Sequence, residues 1–368
     1  MSLYSDWLET WSQAVEGGLN TEQENLSVPL WNNRYSKLMS VMNKAEPDVG
    51  LTPKRVIWHK NKTMLYHFSI PGYKVTKKTP VLMVYAMINK PYILDVEPGN
   101  SFVEALVKQG YDVYMIDWGE AGIEDRRNGF AEYILDYLKK AIDKVRAHSG
   151  QDQINMFSYC MGGTIGTMTT ALFQERIKNL VVLAAPIDFR HAKLYNNWLS
   201  ESYFDVDKLV DTFGNVPSYL IDFGNKMLKP MVNFVNPWVR LLEKVDDDHF
   251  VHNWRLLNKW ANDGTDFPGQ TYKEWIHNFY QHNKLINGEI MLRDQAVDLA
   301  KIECPVLILT AEHDHIVPVD QTRALFDYIS SEDKEEHNYP VGHVSLVFGG
   351  VARKRVYQET ADWLAKHD

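Results

Sequence analysis

An α/β fold is predicted, with a mostly parallel sheet, flanking helices and an inserted, mainly helical cap. Three observations predict it. Short, continuous apolar runs recur, as in PVLMVYA (residues 80–86) and NLVVLAAP (179–186), the pattern of strands buried on both faces. Amphipathic stretches of helical period stand between them, so strand and helix alternate and right-handed crossovers are expected. The alternation stops near residue 188 and resumes near 304, with long aromatic stretches in between.

The elements follow in order. Residues 1–45 read as two helices separated by Gly17-Gly18: Leu8, Trp11 and Val15 share one face, and Trp31, Tyr35, Leu38, Met39 and Met42 another. Such helices either pack on the main body or offer a docking surface for a partner. VIWHK (56–60) and MLYHFSI (64–70) read as paired strands, followed by the buried strand at 80–86. SFVEALVKQG (101–110) is helical and closes on Gly110. YDVYMIDWG (111–119) is the next strand, and 130–150 a long amphipathic helix ending in basic residues and Gly150. INMFSY is a strand, MGGTIGTMTTALFQE a helix and 179–186 a strand.

Residues 189–295 contain NNWLSESYFDV, NFVNPWVRLLEK, FVHNWRLLNKWANDG and TYKEWIHNFYQHN, with no buried-strand run. CPVLILTAEHD (304–314), a helix at 321–330, EHNYPVGH (336–343) and a closing helix near 353–366 complete the chain. The organisation expected is an N-terminal helical segment (1–50), a first part of the α/β core (51–188), a helical cap or lid (189–295) and a last part of the core (296–368).

Composition narrows the function. The 368 residues are 45% hydrophobic and 24% charged, an ordinary globular balance large enough to need no disulfide support. The two cysteines, Cys160 and Cys304, form no CxxC pair, and no ligand cluster stands at metal spacing. A reducing, cytoplasmic setting is expected. The N-terminus lacks a basic region followed by an apolar run, so no signal peptide is expected. No apolar stretch approaches a membrane span. A net charge of −9 argues against nucleic-acid binding. No dinucleotide fingerprint is present, so neither a cofactor nor a metal is expected.

The chemistry centres on Ser158-Tyr159-Cys160-Met161-Gly162, which follows a predicted strand and opens a helix. That is the context of a nucleophile elbow, a strained turn needing small residues two before and two after the nucleophile. Ser158 and Gly162 meet the need, and Gly163 gives further room. With Ser158 as nucleophile, the small positions would fall on Met156 and Cys160, a poorer fit. The turn aims the Met161 N–H at the reacting carbonyl, and the helix N-terminus adds positive potential. A second oxyanion donor should come from the loop after the strand at 80–86, with the Ile88 N–H favoured.

A nucleophile needs a base and the base an orienter. In α/β-hydrolase order these follow as acid and then His. Asp314 and His343 fall just after the last two predicted strands, where open α/β sheets place their sites. Each residue alone has a plainer reading: a buried inert thiol, a cap, a structural histidine. Together, in this order, Cys160, Asp314 and His343 read as a catalytic triad. His313 and His315 flank Asp314, and alternation would turn them away from it. Cys304, before Pro305, reads as core. Asp117-Trp118-Gly119 reads as a structural turn or a pocket wall.

These residues, together with YAMINKPYILDVEPGNSFVEALVKQGYDVYMIDWG, resemble polyhydroxyalkanoate synthase catalytic subunits over roughly residues 50–366. INKPYILD, PGNS, DVYMIDWG, YCMGGT, FPG, DHIVP and GH carry the resemblance. The length resembles the short synthases that work with an accessory subunit, and DTFGNVP, DFGNKMLKP and NKTMLY resemble the Bacillus-type two-subunit class. The resemblance implies that Cys160 carries the acyl group and that His343 is its base. It implies that Asp314 orients His343 or helps it activate the incoming 3-hydroxyl. It further implies a short (R)-3-hydroxyacyl-CoA substrate with CoA as product, a growing polyester chain, and association with cytoplasmic granules. The family usually has Gly where this chain has Ser158, which puts the elbow geometry and the activity level in question. The N-terminal helices and cap aromatics are candidate contacts for the accessory subunit, a homodimer or the granule surface. Two other functions compete: a cysteine hydrolase of thioesters, lactones or polyester, and a non-catalytic granule scaffold.

Overall fold

The computed structural model describes residues 28–368. The helix expected around Leu8, Trp11 and Val15 lies outside them. Eight strands form the main sheet: β1 (Lys54–Lys60), β2 (Thr63–Phe68), β3 (Val81–Val84), β4 (Val113–Asp117), β5 (Ile154–Tyr159), β6 (Ile177–Leu183), β7 (Val306–Ala311) and β8 (Lys334–Tyr339). Their spatial order is β1-β2-β4-β3-β5-β6-β7-β8. The hairpin β1–β2 and the β2–β4 pair are antiparallel, and every later pairing is parallel.

Burial follows from position in the sheet. Every residue of the central strands β3, β5 and β7 is buried, so these strands are mostly apolar, with Asn155, Ser158 and Thr310 as buried polar exceptions. The edge strands β1 and β8 are partly exposed and carry Lys, Arg, Glu and His, residues that discourage pairing with another sheet.

Helices cover both faces. α1 (Val28–Met42) precedes the sheet. α2 (Phe102–Lys108) starts where the Ser101 side chain accepts from the Glu104 N–H. The long helix expected at 130–150 forms as a π-helical stretch, Glu132–Leu138, running into α3 (Lys139–Ser149), which ends on Gly150 at φ 72°. α4 (Met161–Leu172) follows β5 and is buried along nearly its whole length. The single helix expected at 321–330 is two short ones, Val319–Arg323 and Leu325–Tyr328. α10, the closing helix, spans Tyr357–Lys366.

Between β6 and β7 the chain is mainly helical: α5 (Val206–Phe213), α6 (Ser218–Met227), α7 (Asn236–Glu243), α8 (Asp248–Asn262) and α9 (Gly269–Glu274). A small hairpin, Met291–Leu292 with Gln295–Ala296, closes the segment. Two clusters of buried apolar side chains result. The larger fills both faces of the sheet and runs into the cap through Val206, Val210, Leu256, Phe267 and Phe279. The smaller joins Val41 of α1 to Leu241, Val245 and Val251 of the cap, flanked by Trp238 and Trp254. The helix formed by the second N-terminal periodic stretch therefore rests on the cap. Arg255 reinforces this by donating to the carbonyl oxygens of Lys44 and Ala45.

Candidate active site

The sharp end of β5 sets the site. Cys160 has φ 58° and ψ −134°, a backbone conformation costly for any residue with a Cβ. The surroundings hold it there. Its N–H donates to the Leu183 carbonyl at 2.9 Å, and its carbonyl accepts from the Gly163 N–H at 2.8 Å. A Cβ on Gly162 would stand 2.5 Å from the Val84 oxygen, and one on Gly163 2.3 Å from the Ala185 Cβ. Both glycines are thus required by close approach of neighbouring strands.

Ser158 is accommodated by a partner farther along the helix. Its side chain is fully buried, and its hydroxyl donates to the Val181 carbonyl at 3.0 Å. Gly166 faces it: a Cβ there would lie 2.8 Å from both the Cβ and the Oγ of Ser158. The space that a glycine at 158 would leave is supplied by a glycine at 166.

Asp314 and His343 meet at the carboxyl ends of β7 and β8. The Asp314 Oδ1 accepts from the N–H groups of Ile316 and Val317, each at 2.8 Å. The Asp314 Oδ2 accepts from the His343 Nδ1 at 2.5 Å, with both side chains buried. Cys160 is the imidazole's other interaction partner. Burial alone would lower the His343 pKa. The Asp314 carboxylate and the Cys160 sulfur outweigh it, and the group is pushed up to about 10. An imidazolium held between a carboxylate and a sulfur is the arrangement in which a cysteine acts as nucleophile and the histidine as its proton partner.

The oxyanion candidates lie on adjacent elements. Met161 is the buried first residue of α4, and the backbone at Val84 and Tyr85 runs against Gly162. Ile88 lies a few residues on, in a loop fastened to the cap. The Ile88 carbonyl accepts from the Thr265 N–H at 2.9 Å and the Met87 carbonyl from the Thr265 hydroxyl at 2.7 Å.

Sequence reasoning missed an aromatic enclosure. The Tyr159 ring stacks on the His343 imidazole at 5.1 Å, its hydroxyl donates to the His343 carbonyl at 3.2 Å, and Tyr85 stacks on its other side at 5.4 Å. Burial, and then the nearby charge of Cys160, push the Tyr85 phenol well above its ordinary range. From the cap, Tyr195 and Tyr280 are raised by burial and also feel the Cys160 charge. Their rings lie 5.5 Å apart, and Tyr280 sits edge-on to Phe189 at 4.9 Å. Aromatic richness marked the segment, but only packing shows which phenols lie near enough to Cys160 to feel its charge.

Other expectations resolve as follows. His315 is half-buried, feels the charges of Lys229, Asp314 and His343, and is hydrogen-bonded through Nε2 to Asn233 of the cap at 3.3 Å. Strand alternation does not govern this position, because β7 ends at Ala311 and a turn intervenes. Cys304 is buried, and burial pushes its thiol up to about 11. Asp117-Trp118-Gly119 is a turn: the Asp117 carboxylate accepts from the Gly119 N–H, and the Trp118 indole donates to the Tyr85 carbonyl at 2.9 Å.

Comparison with known proteins agrees with this geometry. Residues 79–349 match the alpha/beta hydrolase fold family, and residues 12–106 match the family described as the poly-beta-hydroxybutyrate polymerase (PhaC) N-terminus. The chain is 35% identical over 327 residues to the poly(3-hydroxyalkanoate) polymerase subunit PhaC of Allochromatium vinosum, covering 88% of this chain and 92% of that one. It is 35% identical to the Synechocystis protein of the same name, covering 88% and 87%. It is 39% identical to that of Haloferax mediterranei, covering 88% of this chain but spanning only 65% of that relative's length. Among solved structures, a putative lipase from Sulfolobus solfataricus shares the fold at a TM-score of 0.55 and 15% identity, covering 86% of this chain and 93% of that one.

Proposed function

This chain belongs to the poly(3-hydroxyalkanoate) polymerase PhaC family, and we propose that it polymerises short-chain (R)-3-hydroxyacyl-CoA through a thioester on Cys160. The observation that carries the reading is the relay from Asp314 through His343 to Cys160 at a strained strand–helix turn. The Cys160 thiolate attacks the CoA thioester carbonyl. The developing oxyanion is taken by the N–H groups of Met161 and Ile88. Collapse expels CoA, which leaves as the thiol with the proton from His343. His343 then accepts the proton of a 3-hydroxyl, whose oxygen attacks the acyl-Cys160 thioester. An ester forms and Cys160 is released. Asp314 orients His343 and balances its charge throughout.

The chemistry explains the thiol. Exchange of one thioester for another costs little free energy, and the acyl group stays activated for the hydroxyl. Polymerisation also requires that water be kept from this intermediate, a task that suits the rings of Tyr195 and Tyr280. No separate cofactor enters the scheme. Work with an accessory subunit, self-association and attachment to a cytoplasmic polyester granule belong to the same proposal. Exposed apolar side chains gathered in the cap, including Tyr219, Phe223, Met231, Val232 and Phe234, support it. No helix among the described residues is long and apolar enough to cross a membrane.

The test supplies purified chain with (R)-3-hydroxybutyryl-CoA and an extract containing the accessory subunit. Free thiol and the size of the acyl product are followed together. The expected outcome is thiol release with large insoluble polyester, reduced by about 10³-fold or more in Cys160→Ala. Thiol release with only monomeric acid would establish a thioesterase instead. Function unchanged in Cys160→Ala would leave a scaffold.

A further inference from the structure

At the end of the sheet opposite the nucleophile, donor side chains converge from three elements. His67 lies on β2 and pairs in register with Tyr114 of β4. Asp112 stands immediately before β4, and His148 lies in the last turn of α3. One ligand atom from each lies within 4.8 Å of the other two. The side chains of His67 and Asp112 are each only 12% exposed, whereas His148 is exposed and gives access from solvent.

Hydrogen bonding fixes where the lone pairs are. Arg55 can only donate, and its Nη2 lies 2.9 Å from the His148 Nε2, so that nitrogen carries a lone pair. The His148 Nδ1–H then donates to the Tyr114 oxygen at 2.6 Å, and the Tyr114 hydroxyl donates to the Asp112 Oδ2 at 2.6 Å. The His67 Nε2–H donates to the Asp112 Oδ1 at 2.7 Å. The His67 Nδ1 is left with a lone pair, buried and without a hydrogen-bond partner. Each imidazole thus carries one proton and one lone pair, so an ion bound beside Asp112 releases the protons that face it or exchanges the tautomers, and the cluster already holds one cation, the exposed Arg55 guanidinium, against His148.

We propose that His67, Asp112 and His148 form a binding site for a divalent transition metal of the zinc class, which takes the place of Arg55. Two imidazoles and a carboxylate suit such an ion, with water completing a tetrahedron. Bond lengths near 2.1 Å put ligand atoms about 3.4 Å apart, so even a separation at the 4.8 Å limit contracts by only about 1.4 Å, within reach of the exposed His148. Tyr114, on the far oxygen of Asp112, orients the carboxylate from outside. The ion would clip the end of α3 to the β2–β4 pair, and its effect is on stability. No local motif announces the site, because its ligands are 45 and 36 residues apart along the chain.

The test uses the full chain carrying Cys160→Ala, which removes the nucleophile as a competing metal ligand. Chelator-treated protein is titrated with Zn²⁺ by calorimetry and with Co²⁺ by its visible absorption. The parent is expected to bind one equivalent more than its His148→Ala and Asp112→Asn derivatives, with tetrahedral Co²⁺ bands and a raised melting temperature. Arg55→Ala, which removes a competing cation, should bind about five-fold more tightly. His148 is exposed, so His148→Ala should melt like the parent in chelator. Equal stoichiometry in parent and His148→Ala, or loss of the equivalent on His277→Ala in the cap cluster of Glu201, His277 and His282, would overturn the proposal.

Discussion

The Asp314 carboxylate gives one oxygen to its own backbone turn and the other to His343. The first fixes the carboxylate; the second raises the imidazole. In the folded chain His343 titrates at about 10, against about 6.5 in an unfolded one. A raised value means the native state holds the proton more tightly. This stabilisation is therefore complete below about pH 6.5 and is lost as pH rises towards 10. Turnover that needs the imidazolium to protonate departing CoA should fall over the same alkaline range. Asp314→Asn should move that limb to lower pH and slow turnover on the order of 10²–10⁴-fold, read from a pH–rate profile of CoA release. Tyr159 acts one step removed, through its ring stack and its bond to the His343 carbonyl. Tyr159→Phe keeps the stack and loses the bond, worth about 1 kcal/mol. Turnover should drop about five-fold with substrate KM unchanged.

At the scale of elements, the junction of β5 and α4 decides whether Cys160 is presented at all. The sheet presses on Gly162 and Gly163 from two sides, while Ser158 presses on Gly166 from within the turn. The question raised by serine at 158 is therefore one of packing between strand and helix. Gly166→Ala should destabilise the chain by about 1–3 kcal/mol through overpacking. In a Ser158→Gly background the same change should cost clearly less, because the atoms it strikes are gone. Urea unfolding of the four chains gives the coupling directly. Additive losses would show that Ser158 and Gly166 do not share the space.

For the whole molecule, the division of the apolar interior matters most. The sheet, its helices and much of the cap share one core, which takes in Val210, Leu256 and Phe279, while α1 joins α7 and the start of α8 through a second, small one. The contact of α1 with α7 and α8 can therefore loosen without the sheet unfolding. Leu241 is fully buried in the small core, so Leu241→Ala should cost about 2–5 kcal/mol locally. Hydrogen exchange should accelerate in α1, α7 and α8 while β3, β5 and β7 stay protected. Uniform acceleration across the sheet would show that cap and core open together.

The sequence by itself determined the strand and helix alternation, because strands buried on both faces are mostly apolar, as at residues 154–159 and 306–311. It also singled out Cys160, Asp314 and His343 as residues that come together: each follows a strand, and parallel strands bring their carboxyl ends together however far apart they lie in the chain. Tertiary structure alone decided what depends on contacts between distant segments. The pairing of Gly166 with Ser158 is invisible in composition, since it needs the helix laid against the strand. The choice of Tyr195 and Tyr280 among many cap aromatics depends on which phenols lie near enough to Cys160 to feel its charge. The seating of α1 on the cap was undecided by its periodicity, which specifies an apolar face but not its partner. The turn after β7 carries His315 to Asn233 of the cap, a partner that alternation along a strand does not name. The cluster of His67, Asp112 and His148 shows the same limit: residue types are written in the chain, but the distances between them are set by the sheet's antiparallel edge and the end of a helix packed against it.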